Sequence, residues 1–345
     1  MGPVPVTRNL GMNANALIIL GLNPAWQKTL VFGRFRYGEV NRAEDVAWQA
    51  SGKGVNAARA LHVRGIPATV VQLVGGDSGR RLKKALAAEG IAHVSVATRS
   101  PTRVCTTVIS RHGAEMTELI EPSGPVTAAE LLALRRRLAR LLPRGRGIAL
   151  CGTCPPGVPD RLYADVIAAA RGHALVLLDG YRHVEAALKA GPHLLKINRR
   201  ELCALAGRAA PAAAARRVLA RWPAGCLAVT DGAARAFLFL RGRAWEFGIA
   251  AVERVASPLG AGDCASGILL AGCLAALPRS LSPDAWMHDQ ARSAPLPPLA
   301  KAFALALAAA SASCVTLIPG QYAPRLAAGL RRQMTVREIP FPWPS

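Results

Sequence analysis

Short apolar runs alternate with segments of helical period along most of this chain, and that rhythm limits the folds open to it more than any other feature. Residues 16–22 open as a strand, 55–64 read as a helix, 68–74 as a strand and 79–89 as a helix. After a helix over 128–142, strands recur at 147–151, 174–179, 193–197 and 226–230, each followed by helical or turn sequence. Such alternation predicts a mostly parallel sheet with helices on both faces, the doubly wound α/β class. Two segments break the rhythm, 27–50 and 103–121; the second holds the short β-branched run Val104-Cys105-Thr106-Thr107-Val108-Ile109-Ser110.

Composition narrows the possible functions. A chain of 345 residues, 51% of them hydrophobic, can bury a large core, and it reads as one main domain over 16–320. Residues 1–15 form an N-terminal extension, and 321–345 a C-terminal helix with a Pro-rich tail, loose beyond Met334. The Pro-rich stretch 282–298 reads as a surface loop. The longest apolar segment, 302–315, is too short for a membrane span, and the N-terminus lacks the pattern of a signal peptide. A cytoplasmic location is expected. Eight cysteines at irregular spacing read as free thiols. Cys151-Gly152-Thr153-Cys154 has the CxxC spacing, but no second pair or nearby histidine completes a zinc site. The formal charge of +22 raises the question of nucleic acid. Its arginines, however, cluster at 135–137, 80–81 and 331–332 on helices that also carry an apolar face, which predicts solvated faces and no nucleic-acid partner.

Two glycine-rich turns carry the chemistry. Ser257-Pro258-Leu259-Gly260-Ala261-Gly262-Asp263 ends on a carboxylate and leads into an apolar helical run. Backbone N–H groups at such a helix start favour an anion, and Asp263 stands where it could take a proton from an attacking hydroxyl. Read alone, the turn is equally a helix cap with glycines for close packing. Upstream, Ser51-Gly52-Lys53-Gly54-Val55-Asn56 is a second flexible turn, with an amide in the first turn of the following helix. It is not a Walker loop, since glycine follows Gly52-Lys53 where that motif needs Ser or Thr.

In order and separation, these two stretches resemble the GGKGxNxA and DTxGAGD signatures of the ribokinase/PfkB family of sugar kinases. Further segments resemble its branch of 1-phosphofructokinase, tagatose-6-phosphate kinase and the minor 6-phosphofructokinase. They are Leu22-Asn23-Pro24-Ala25, Val40-Asn41-Arg42, Thr117-Glu118-Leu119-Ile120-Glu121-Pro122 and Gly152-Thr153-Cys154-Pro155-Pro156-Gly157. Lys196-Ile197-Asn198-Arg199-Arg200-Glu201-Leu202 matches the family's KPNxxEL. The resemblance implies a ribokinase-like sheet with a small β-sheet lid built from 27–50 and 103–121, often a dimer contact. It implies ATP-dependent phosphoryl transfer to a hexose phosphate, nominally fructose 1-phosphate, with tagatose-6-phosphate or 6-phosphofructokinase activity, or a weakly catalytic sugar-phosphate-binding or nucleotide-binding protein, as alternatives.

Roles follow by resemblance. Asp263 would be the base, with the N–H groups of Gly260, Ala261 and Gly262 as its anion hole. Asn198 and Glu201 would place Mg²⁺ through water, although a helix cap explains them too. Lys196, Asn198, Thr230, Gly232 and Ser257 would serve ATP. Asn23, Gln27, Gly52, Gly54, Asn56 and Thr153 would contact the sugar; Arg103 would grip its phosphate, and Lys53 would add charge there or stand solvated. Departures from the family pattern are Gln27 for a carboxylate, Ser51 for a glycine or alanine, Pro258 for threonine, Arg235 for a glycine and Asp179-Gly180-Tyr181 for Asp-x-Ser.

Overall fold

The computed structural model describes residues 16–293 and 296–343; the extension at 1–15 lies outside them. Strand β1 (Ala16–Leu20) is followed by β2 (Ala25–Phe32), β3 (Asp45–Ser51), helix α1 (Lys53–Val63), β4 (Ala68–Gly75), α2 (Gly76–Ala88) and β5 (His93–Thr98). Next come β6 (Val104–Ser110), β7 (Glu115–Ile120), α3 (Ala128–Leu141), β8 (Gly145–Cys151), α4 (Leu162–Ala170), β9 (Leu175–Asp179) and α5 (Glu185–Lys189). The alternation continues through β10 (Leu194–Asn198), α6 (Arg199–Ala206), α7 (Pro211–Arg221), β11 (Cys226–Asp231), β12 (Arg235–Leu240) and β13 (Arg243–Gly248). Helices α8 (Ala261–Ala276), α9 (Pro283–Gln290), α10 (Pro298–Ser313) and α11 (Pro324–Gln333) precede the last strand, β14 (Thr335–Ile339).

The main sheet has ten strands in the order β14-β13-β12-β11-β10-β9-β8-β1-β4-β5. From β5 to β11 every pairing is parallel, and β12 to β14 add an antiparallel edge. Strands buried on both faces need apolar residues of either parity, which is why they read as unbroken runs. Leu17 and Ile19 join the core that includes residues of α1, α8 and α10, Ile18 and Leu20 the separate core that includes residues of α3, α4 and α7. The strand order reverses at the β1–β8 boundary, so a crevice opens beyond the carboxyl ends of these neighbours, the usual place for a ligand in an open α/β sheet.

A second sheet, β3-β2-β6-β7, stands over that crevice. Its registers put Gln27 opposite Gln49, Thr29 beside Thr107 and Thr107 opposite Glu118, on the face turned inward. Gln27, Thr29, Gln49 and Thr107 are buried, whereas Val46, Trp48 and Leu119 of the other face are exposed.

Two sequence expectations change. The stretch expected as a loop over 282–298 contains α9, which starts because Ser282 caps it through the Ala285 N–H and Pro283 suits the first turn; Trp286 and Met287 anchor it in the core. The tail beyond Met334 is not loose: β14 pairs with β13 from Thr335 to Ile339, and Phe341 is buried beside Phe239. The basic clusters at 80–81 and 135–137 are exposed on helices that bury Leu82, Leu86, Leu134 and Leu138 on the opposite side. No helix among the described residues is long and apolar enough to cross a membrane.

Candidate active site

The crevice at the strand reversal holds a cleft of about 140 Å³ lined by Gly21, Asn23, Lys53, Arg103, Thr153 and Glu201, with Tyr181 and Arg182 along one side. Its floor is a close meeting of backbones. A side chain at Gly54 would bring a Cβ to 2.6 Å from the Gly21 Cα, and the reverse approach is 2.7 Å. Only glycine at both positions lets the start of α1 lie against the end of β1. This is what the glycines around Lys53 do; Gly52 likewise lies against Pro24.

Lys53 turns inward. Its Nζ donates to Asp179 Oδ1 at 2.7 Å and lies 3.7 Å from Glu201 Oε1. Burial pulls its pKa down, but Asp179, Asp263 and Glu201 outweigh this and leave it above the ordinary lysine value. Asp179, at the carboxyl end of β9, is fully buried and also accepts from Ser266 Oγ at 2.5 Å, with Lys196 Nζ at 3.5 Å. Burial pushes its carboxyl up, and Lys196 and Lys53 bring it below the ordinary aspartate range. Lys196 lies under the turn that leads to Asp263: a Cβ on Gly262 would sit 2.9 Å from its Nζ.

Asp263 stands in the first turn of α8, whose N-cap Gly260 has the left-handed φ of 76° that admits glycine. Its Oδ2 accepts from Asn56 Nδ2 at 2.8 Å. The Asn56 amide is fixed in turn, since its Oδ1 accepts from Ser51 Oγ at 3.1 Å and faces the buried Arg59 guanidinium. Burial and the charge of Asp179 raise the Asp263 pKa, and Lys53 opposes them. A half-buried carboxylate oriented by an amide and poised above its usual pKa is suited to taking a proton.

Several expected roles shift. The Ala261 N–H, expected in the anion hole, donates to Pro258 O at 3.2 Å within the turn itself. The N–H groups of Gly262 and Asp263 face no intrahelical carbonyl, and they form the helix start open to an anion. Asn56 spends its amide on Asp263 and Ser51, which makes it a positioner of the carboxylate before it is a sugar contact. Gln27 donates to Thr107 Oγ1 at 2.9 Å and is buried within the lid. Ser257 is buried, its hydroxyl accepting from Leu259 N–H and donating weakly to Met116 Sδ at 4.0 Å; it shapes the turn.

Asn198 and Glu201 form a capping box at α6. Asn198 Oδ1 accepts from the Glu201 N–H and Glu201 Oε2 from the Asn198 N–H, both at 2.9 Å. Glu201 Oε1 is left facing the cleft beside Lys53. No cluster of three or more His, Cys, Asp or Glu able to hold a metal occurs among the described residues. Thr230 pairs with Asn198 at the ends of adjacent strands, and Gly232, with φ 72°, turns the chain into β12. Arg103 donates through Nη2 to Asn23 O at 3.1 Å, and its Nε is buried without a hydrogen-bond partner. Asn23 Oδ1 accepts from Ser123 Oγ at 2.7 Å.

Asp179 and Ser266 were absent from the sequence-based site. An aspartate ending the buried run Leu175-Val176-Leu177-Leu178 at the carboxyl edge of a parallel sheet was the available signal. All eight cysteines are free. Burial pushes the Cys154 thiol up to about 11 and Cys151 well above its usual value, which disfavours the thiolate in the CxxC pair.

A helix start beside a positioned carboxylate, at the switch point of a doubly wound sheet under a lid, is an arrangement suited to phosphoryl transfer. The chain belongs to the pfkB family of carbohydrate kinases, whose sequence pattern matches residues 23–323. It is 32% identical over 263 residues to a 1-phosphofructokinase of Rhodobacter capsulatus, covering 74% of this chain and 83% of that protein. Its fold is that of Escherichia coli phosphofructokinase-2: the complex with fructose-6-phosphate superposes with a TM-score of 0.76 at 21% identity, over 92% of this chain and 99% of that one. The tetrameric inhibited form of the same enzyme matches with a TM-score of 0.75 at 22% identity, over the same shares. This chain is therefore an ATP-dependent sugar kinase.

Proposed function

We propose that the acceptor is a ketohexose phosphate, nominally fructose 1-phosphate, converted to fructose 1,6-bisphosphate. The observation that carries this reading is the cationic lining of the cleft: Arg103, with its unpaired Nε, and Lys53 stand on the same small cavity. A guanidinium held at Asn23 O suits a phosphate already on the acceptor better than a neutral sugar. Likeness to the Rhodobacter 1-phosphofructokinase supports it.

In this reading the acceptor's phosphate rests on Arg103 and Thr153, which puts its far hydroxyl toward Asp263. Asp263 takes the proton as that hydroxyl attacks the γ-phosphoryl group. The N–H groups at the start of α8 and the Lys196 ammonium beneath Gly262 stabilise the charge carried by the transferring group. Lys53 lowers the repulsion between Asp263 and Asp179 and adds positive charge to the cleft. The nucleotide lies along Thr230 and the turn at Gly232. Mg²⁺ would be held through water on Glu201 Oε1, which is free of the capping box, and would neutralise charge on the phosphates; a metal that keeps its waters needs no protein cage. The exposed Val46, Trp48 and Leu119 of the outer lid face are apolar cover for a second copy of the chain, and a cytoplasmic location fits a chain that consumes ATP.

The test is Mg-ATP turnover across fructose 1-phosphate, fructose 6-phosphate, tagatose 6-phosphate and free hexoses. Fructose 1-phosphate should give the highest kcat/KM. Equal turnover of free hexoses would remove the role of Arg103, and binding of sugar phosphates without turnover would favour a sensor.

A further inference from the structure

We propose that Glu118, on lid strand β7, contacts the acceptor's hydroxyl groups and selects a polyhydroxylated substrate; this rests on the sugar-phosphate reading above. The argument begins with strand parity. Met116 and Glu118 are two residues apart on β7, so their side chains leave the sheet on one face. Met116 shows which face this is, because its Sδ lies 4.0 Å from Ser257 Oγ in the turn that leads to Asp263. Glu118 therefore projects from the same inner face, one pleat further along.

The cross-strand register agrees. Glu118 lies directly opposite Thr107, which is fully buried and holds Gln27 at 2.9 Å. The inner face is a polar row running from Gln49 through Gln27 and Thr107 to Glu118. Within that row the two amides are committed to protein, Gln27 to Thr107 and Gln49 to Leu317 O at 3.1 Å. Glu118 ends the row, and along its strand it stands between Met116, beside Ser257 of the catalytic turn, and Ile120, opposite Cys105, which lies two residues beyond Arg103. The Glu118 carboxyl feels both Asp263 and Arg103: the surrounding protein raises its pKa, Asp263 raises it further and Arg103 opposes them. A carboxylate there accepts only, and so pairs with hydroxyl donors of a sugar; against the substrate's phosphate it would be repulsive. Its place between Arg103 and Asp263 fits the middle of an acceptor whose phosphate sits on the first and whose reacting hydroxyl sits near the second.

The experiment measures KM for the sugar phosphate, KM for ATP and kcat in Glu118→Gln and Glu118→Ala beside the wild type. Both substitutions fall on an exposed lid position, and thermal melts check the fold. Losing a charge-assisted hydrogen bond should raise the sugar-phosphate KM about tenfold or more, while the ATP KM and kcat stay within about threefold. A sugar-phosphate KM within about twofold of wild type, or a lower one, would overturn the proposal; so would an equal rise in the ATP KM. A wild-type chain that turns over no hexose phosphate would overturn both this inference and the function it rests on. Active wild type with unaffected variants would sink this inference alone.

Discussion

The floor of the cleft and the lid above it hold their polar groups in different ways. On the floor, Asp179 binds Lys53, Ser266 and Lys196, Lys53 reaches Glu201, and Asn56 fixes Asp263, so that charges are buried in opposed pairs. Asp179 and Lys196 lie on strands of the ten-stranded sheet, and the others sit on the helices α1, α6 and α8. The lid is four strands with one face exposed, and its inner polar residues are neutral apart from its ends. Chemistry that needs a fixed charge is placed where the fold resists movement; recognition is placed on the thinner sheet, where one side chain can change without unravelling a network. Departures from the family pattern occur on both parts, at Gln27 in the lid and at Ser51 and Pro258 beside the floor, whereas Asn56, Lys196 and Asp263 match it.

The largest expected effect lies on the floor. Asp263→Asn should retain sugar-phosphate and ATP binding and lose about 10²–10⁴-fold in kcat, as removal of a general base does. Asp179→Ala comes next, since it leaves Lys196 buried and Lys53 half-buried without their shared anion. A loss of about 3 kcal/mol in unfolding free energy is expected by denaturant titration, together with a fall in kcat; a stable, active variant would show that the paired charges on the floor are dispensable.

Lys53→Met tests the electrostatics more finely. Asp263 must be ionised to act, its pKa is raised by burial and Asp179, and Lys53 is the cation that opposes the rise. Removing that cation should move the acidic limb of the kcat/KM–pH profile upward by about one unit. A downward shift would contradict the assignment. The smallest effect belongs to the lid: Gln27→Asp should change the sugar-phosphate KM less than about tenfold, because the Thr107 hydroxyl can turn and donate to the new carboxylate. If that substitution cost more than Asp263→Asn, the division between floor and lid would fail.

Much of this was legible in the sequence. The strand–helix rhythm gave the sheet because strands buried on both faces need unbroken apolar runs, and the two glycine turns marked the floor because only glycine permits the Gly21–Gly54 contact and the φ of Gly260. What could not be read were partnerships across the chain. Lys53 and Asp179 are 126 positions apart, and nothing local marks them as a pair. The same holds for Asn56, which read as a sugar contact and proved to hold Asp263, 207 positions away. The bond from the Ala261 N–H to the turn's own Pro258 carbonyl has no mark in the sequence, and α9 was hidden because the four prolines of 282–298 mask a capped helix with two core anchors. Glu118 lies within the 117–122 motif, yet its side is set only by strand register.

The account depends most directly on where the new phosphate goes. Incubating the chain with Mg-ATP and fructose 1-phosphate and following phosphorus resonances should show one ADP and one fructose 1,6-bisphosphate formed per acceptor consumed, with no product from Asp263→Asn on the same timescale. ATP hydrolysis without a sugar bisphosphate, or an Asp263→Asn variant as fast as wild type, would contradict it.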